Sequence, residues 1–148
     1  MEVQPDFRDL LALLNKHKVE YLIVGSYALA FHGAPRYTSD IDIWIKPQSL
    51  NAQRTMEAIK EFGFGEVGIT PEDLESPNSV IQLGFPPVRI DLLASIGGLT
   101  WDEAFSNRAK GKFGDIFVYY LGREQFIKNK RSLDRKKDLA DLEALGEE

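Results

Sequence analysis

Apolar positions recur along this chain with two different periods, and the switch between them marks out the elements. Phe7, Leu10, Leu11 and Leu14 fall at the i, i+3, i+4, i+7 spacing of an amphipathic helix. Asp6 suits its N-cap, and the pattern fades near Lys16 and Lys18. Residues 20–24, EYLIV, then read as a short buried strand. Gly25 and Ser26 lead into a helical stretch over 27–32 that stops at Gly33, a usual C-terminal breaker. After a loop over 34–39, residues 40–46 alternate polar and apolar, the period of a half-buried strand.

The second half continues in the same way. Residues 49–62 predict a helix with Ala52, Met56 and Ile59 on one face. Residues 63–68 predict a strand or turn, and 71–78 a polar loop with a helical turn. Residues 80–83 and 88–93 predict paired strands joined through the GFPP segment at 84–87. A short helix over 100–107, a strand over 116–121 and two helical stretches, 124–130 and about 135–145, complete the chain. This order predicts an α/β fold, a mixed sheet flanked by helices with a helical C-terminus. No repeat or linker interrupts it, so residues 1–148 read as one domain.

Composition narrows the chemistry. The chain has no cysteine, which excludes a disulfide framework, a thiol nucleophile and a cysteine zinc site. A net charge of −5 argues against general, charge-driven binding to nucleic acid, although a local basic patch still suits phosphate. There is no basic-then-apolar leader and no apolar run long enough to span a bilayer, so a soluble, cytoplasmic protein is expected.

The candidate chemistry lies in VGSYALAFHGAPRYTSDIDIWI, residues 24–45. Gly25 lets a bulky ligand approach the backbone. The N–H groups opening the next helix favour an anion such as phosphate, and the Ser26 hydroxyl adds a donor. Asp40 and Asp42 are two apart on a strand, so they share a face, while Ile41, Ile43 and Ile45 take the core side. Two carboxylates at that spacing repel one another, and a divalent cation with a taste for hard oxygen ligands removes the penalty. Asp91 lies in another strand with apolar neighbours at alternate positions. A third carboxylate from a neighbouring strand would complete a two-metal site for phosphoryl chemistry.

Gly25, Ser26, Asp40, Asp42 and Asp91 together resemble the signature of the DNA polymerase β-like nucleotidyltransferase superfamily. Within it the pattern resembles the minimal nucleotidyltransferases, which include antitoxin-type proteins and the toxin-type proteins of abortive-infection systems. The tail from Asn129-Lys130-Arg131 through Arg135-Lys136-Lys137-Asp138 to Asp141-Leu142 is similar to a C-terminal motif of the toxin type. The resemblance implies a nucleotidyltransferase fold with Mg2+, or Mn2+, held by Asp40, Asp42 and Asp91. It implies an NTP held through Gly25 and Ser26, an acceptor hydroxyl on RNA, protein or a small molecule, and a cognate toxin or antitoxin partner. In such enzymes the acceptor hydroxyl attacks the α-phosphate and pyrophosphate leaves, with the third aspartate placed to help deprotonate the acceptor. Some members carry a separate domain that positions the acceptor, for which this chain has no room.

Plainer readings stand beside these. Asp40 and Asp42 could be a cap and a solvated edge residue, and Asp91 could be a structural ion-pair partner of Arg89. Gly25-Ser26 could be only a helix cap. Trp44 shares the aspartate face and suits either base stacking or packing. His17 and His32 lack a partner histidine at zinc-motif spacing and read as packing or surface residues. Arg36 and Thr38, in the loop before the aspartates, suit either phosphate contact or plain solvation, and Arg36 is the candidate nucleotide-binding residue of the two. Arg135, Lys136 and Lys137 would crowd the first turn of the last helix, the end where the dipole disfavours cations. That misfit, with the tail motif, marks Lys130 and Arg135 as candidate nucleotide-binding residues. The competing functions are a weakly active antitoxin or nucleotide-binding scaffold on the same fold, and a metal-dependent phosphohydrolase or nuclease. The full set of three aspartates favours the transferase over a scaffold, which needs none of them.

Overall fold

The computed structural model describes residues 3–35, 38–64, 68–85 and 88–147. Six strands, β1 (Tyr21–Val24), β2 (Asp40–Ile45), β3 (Val80–Phe85), β4 (Val88–Leu93), β5 (Ala109–Phe113) and β6 (Ile116–Tyr120), form one sheet in the order β3-β4-β2-β1-β6-β5. The helices are α1 (Pro5–Lys16), α2 (Gly25–Phe31), α3 (Ser49–Ile59), α4 (Trp101–Ser106), α5 (Arg123–Leu133) and α6 (Lys136–Ala144). The sheet is mixed: β4 runs parallel to β2 and β6 parallel to β1, while β1–β2, β3–β4 and β5–β6 are antiparallel. This is the α/β arrangement that the sequence predicts.

Register divides the central strands into two faces. Ile43 pairs with Ile23 and Leu92, Ile41 with Ile90, and Ile23 with Tyr120. All of these side chains are buried. The opposite face therefore takes the residues between them, Val24, Asp40, Asp42, Arg89 and Asp91, at one end of β2 and β4. A slip of one residue would send Ile41 and Ile43 to the polar side and the aspartates inward, so burial of the isoleucines fixes where the acids point.

The helices hold this sheet by the pattern that the sequence shows. Phe7, Leu10, Leu11 and Leu14 of α1 are all buried, each contributing roughly 1.5–3 kcal/mol of apolar transfer. The N-cap of α1 is Gln4, whose side chain accepts from Asp6 N–H, with Pro5 opening the helix; Asp6 lies in the first turn rather than at the cap. Asn51 of α3, 2% exposed, is a staple that periodicity does not reveal. Its amide donates to the carbonyls of Glu20 and Lys46 and its oxygen accepts from Glu20 N–H, closing the open end of the β1–β2 pair.

Three further details depart from expectation. Helix α2 starts at Gly25 itself, and α5 runs on to Leu133. Strand β5 is absent from the sequence reading because AKGKF is polar and glycine-bearing; it forms by pairing along β6. The turn expected over 63–68 and the GFPP connection at 84–87 lie partly outside the described residues. Among the described residues no helix is long and apolar enough to cross a membrane.

Candidate active site

Strand β2 is anchored at one end and open at the other. Ile43, Trp44 and Ile45 are buried, whereas Asp40 and Asp42 are only partly covered. Trp44 is 2% exposed, donates its indole N–H to Ala94 O and meets Trp101 edge-on. It is therefore a packing residue, with no face free for a base. Asp42 pairs directly with Asp91 of the parallel strand β4. The same register sets Asp40 beside Arg89.

Asp91 is 6% exposed, and its position faces Asp42 across the strand pair. Arg89 reaches across with one nitrogen. Its Nη2 donates to Asp40 Oδ2 at 2.6 Å and to Asp91 Oδ2 at 3.1 Å. The plainer reading of Asp91 as an ion-pair partner of Arg89 is thus realised in geometry, and Asp40 joins it. Ser39 Oγ donates to Asp40 Oδ1, and Thr38 Oγ1 bonds the Asp40 backbone. Thr38 accordingly shapes the start of β2.

Burial pushes the Asp42 carboxyl up to about 6; the neighbouring carboxylates of Asp91 and Asp40 act in the same direction, and Arg89 opposes them. The Arg89 guanidinium is held more firmly charged than usual, chiefly through its bond to Asp91. Two atoms remain unmatched. Asp91 Oδ1 and Arg89 Nε are buried without a hydrogen-bond partner, and they are the two such side-chain atoms among the described residues. Buried polar atoms are nearly always satisfied, so a pair of orphans in one acidic cluster points to a ligand.

Gly25 stands over this cluster with φ of +65°, in the left-handed region. A Cβ at that position would land on the Asp42 carboxylate. Glycine is thus required twice, for the backbone angle and for the close approach of the β1–α2 turn to Asp42. Ser26 follows as the second residue of α2.

The donor set suits a hard divalent cation: three carboxylates on one face, one oxygen unpartnered, and one carboxylate whose charge burial and its acidic neighbours disfavour until a cation offsets it. The set is not a preformed cage. No three acidic or imidazole groups among the described residues converge as one, and Arg89 bridges Asp40 and Asp91.

The other candidate residues lie elsewhere in the interaction pattern. Arg36 is outside the described residues. His32 bonds Leu121 O, and His17 meets Glu61. Lys130 is 9% exposed between Asp138 and Asp141, at 3.4 and 3.3 Å. Arg135 caps α6, its guanidinium on Asp138 and its backbone N–H on the same carboxylate. These partners, and not the aspartates of β2 and β4, hold the charges of Lys130 and Arg135. The dipole misfit expected for the last helix is resolved by Asp138 in its first turn. Lys136 and Lys137 are exposed.

A mixed sheet with a glycine-serine turn over aspartates on adjacent parallel strands places this chain among nucleotidyltransferase folds. Residues 4–148 match the family described as nucleotidyl transferase of unknown function (DUF2204), and the chain belongs to that family. Among solved structures it is similar to a candidate nucleotidyltransferase (TM1012) from Thermotoga maritima, with 16% identity, 96% of this chain and 93% of that chain covered and a TM-score of 0.62. It is also similar to the lincosamide antibiotic adenylyltransferase LnuA in its lincomycin-bound form, with 14% identity, coverage of 97% and 96% and a TM-score of 0.57. No curated protein matches.

Proposed function

We propose that this chain transfers a nucleoside monophosphate from an NTP to an acceptor hydroxyl, with Asp40, Asp42 and Asp91 holding Mg2+ or Mn2+. The observation that carries this reading is the unpartnered, buried Oδ1 of Asp91 on the strand position directly opposite Asp42. A structural ion pair has no use for an orphaned oxygen. The bound cation would supply charge neutralisation at the transferring phosphate and at the attacking oxygen. Asp91, the most buried of the three, would accept the acceptor's proton. Gly25 keeps the turn clear of side chains, and Ser26 offers a hydroxyl to the triphosphate.

The acceptor is a hydroxyl of RNA, protein or a small molecule. LnuA, an antibiotic adenylyltransferase of comparable extent, supports the small-molecule case, because it spans this same fold without a large extra domain. A cognate toxin or antitoxin partner is supported only by the tail motif. A second reading, a nucleotide-binding scaffold of weak activity, is favoured by one observation, the Arg89 bridge that neutralises the acids without a metal.

The test is incubation with labelled NTPs and Mg2+, with cell extract as the source of acceptor, run beside nucleotide binding. The transferase reading expects label transfer by the wild type and its loss in Asp42→Asn, which also loses Mg2+-dependent NTP binding while remaining folded. NTP binding without transfer supports the scaffold. Equal metal-dependent binding by Asp42→Asn would sink the metal assignment.

A further inference from the structure

Arg89 is the feature of the site that the family likeness does not explain. It stands two residues before Asp91 on the same face of β4 and directly beside Asp40 of β2. Both of its contacts to the acids use Nη2 alone, at 2.6 and 3.1 Å. A settled arginine–carboxylate pair is forked, two N–H groups to two oxygens. Here the fork is not used on either acid. Nε is buried with nothing to donate to, and Asp91 Oδ1 is buried with nothing to accept from. The guanidinium and Asp91 are thus in contact and each incompletely satisfied, one lacking an acceptor and the other a donor or cation. Arg89 also keeps access to solvent, its side chain being 30% exposed, whereas that of Asp91 is 9% exposed. The acid at the base of the site is buried, and the cation that meets it is partly open to solvent.

We infer that Arg89 is an internal, displaceable counter-cation. It holds Asp40 and Asp91 together in the metal-free protein and leaves them when a divalent cation arrives. This rests on the metal reading of the three aspartates. The consequence is that metal binding competes with an ion pair inside the chain. If the bridged arrangement is populated about ten to one over the open one, apparent metal affinity falls about tenfold. Arg89 then sets the metal concentration at which the site loads. In the same step its unmatched Nε–H and its released Nη2 become free to turn toward solvent.

The test uses nucleotide-free protein and Mn2+ alone, titrated calorimetrically, with wild type, Arg89→Gln and Asp42→Asn. The expected result is binding by the wild type, loss in Asp42→Asn, and binding about tenfold tighter in Arg89→Gln. Removing any nearby positive charge also tightens a cation site, so the deciding measurement is made on the wild type. The Nε–H resonance of Arg89 in 15N-labelled protein is followed through a Mg2+ titration. A shift that saturates with the site supports displacement. A resonance that stays in place while the metal binds, or an Arg89→Gln variant that binds Mn2+ no more tightly, overturns it and leaves the metal reading standing. A wild type that binds no Mn2+ removes the metal reading and this inference together. Should Arg89→Gln fail to fold, the wild-type resonance alone decides.

Discussion

At the α5–α6 junction Lys130 and Arg135 face Asp138 and Asp141; on β2 and β4 Arg89 faces Asp40, Asp42 and Asp91. Both are clusters of carboxylates and cations with buried members. In the first, Asp138 accepts from Arg135 through side chain and backbone and meets Lys130, and its carboxyl is held down to about 2, chiefly by the bond to the Arg135 guanidinium. In the second, Asp42 is pushed up to about 6 and two atoms have no partner. The difference is one of charge balance. Two cations meet two acids in the helical cluster, and one cation meets three in the sheet. A balanced cluster can be satisfied by the chain itself, whereas an acid-rich one keeps unmatched charge, which on the proposed reading a metal ion would offset.

The most forceful way to break the comparison is Asp138→Ala. It leaves Lys130 buried with only Asp141, and it removes the capping of α6 by Asp138. Removing one member of a buried pair costs about 3–5 kcal/mol. The variant is expected to melt well below the wild type, with nucleotide binding intact at temperatures where it is folded. A normal melting point with weakened NTP binding would instead make the helical cluster a ligand site, as the sequence suggests for Lys130 and Arg135.

The two clusters should also respond to pH with opposite sign. The folded-state pKa of Asp138 lies below its ordinary value of 3.8, so its stabilisation is present above about 4 and is lost as pH falls toward 2. The folded-state pKa of Asp42 lies above 3.8, so the folded form binds the proton more tightly. Its effect is a loss of stability as pH rises from about 4 to about 6, fully present above that. Asp42→Asn is therefore expected to stabilise the metal-free protein at neutral pH by about 1–3 kcal/mol and to give no gain near pH 4. Chemical denaturation in EDTA at the two pH values checks this. Destabilisation at neutral pH would mean that Asp42 is structural.

How far these clusters are legible in sequence differs in the same way. Asp40, Asp42 and Asp91 stand out because alternation with apolar residues fixes their face on each strand. The role of Arg89 is only half visible. Its spacing from Asp91 announces a shared face, but its contact with Asp40 depends on β4 lying parallel beside β2, which no local pattern encodes. The charge pattern of the tail is incomplete for a related reason. Arg135, Lys136 and Lys137 look like cations stranded at the wrong helix end until Asp138 is seen folded back onto Arg135. The i, i+3 spacing of those two residues is the signal that would have shown it. Asn51 and β5 were illegible because each depends on partners beyond its own element: a carbonyl thirty-one residues away for one, a neighbouring strand for the other.

The smallest expected effect sharpens the acid-rich side of the comparison without touching an acid. Ser26 follows Gly25 at the start of α2, on the turn that stands over Asp42. If an NTP lies between that turn and the aspartates, the Ser26 hydroxyl donates to a phosphate oxygen. A hydrogen bond to a charged group is worth about 1.5–3 kcal/mol, and loss of the hydroxyl leaves the backbone N–H groups in place. Ser26→Ala is therefore expected to weaken Mg2+-NTP binding by roughly ten- to a hundredfold and to leave Mn2+ binding in the absence of nucleotide unchanged. Isothermal titration with and without nucleotide separates the two. A parallel fall in metal affinity would show that Ser26 supports the aspartates rather than the phosphates. Unchanged affinity for both would remove the Gly25-Ser26 turn from the nucleotide site, leaving the acids to hold the substrate through the metal alone.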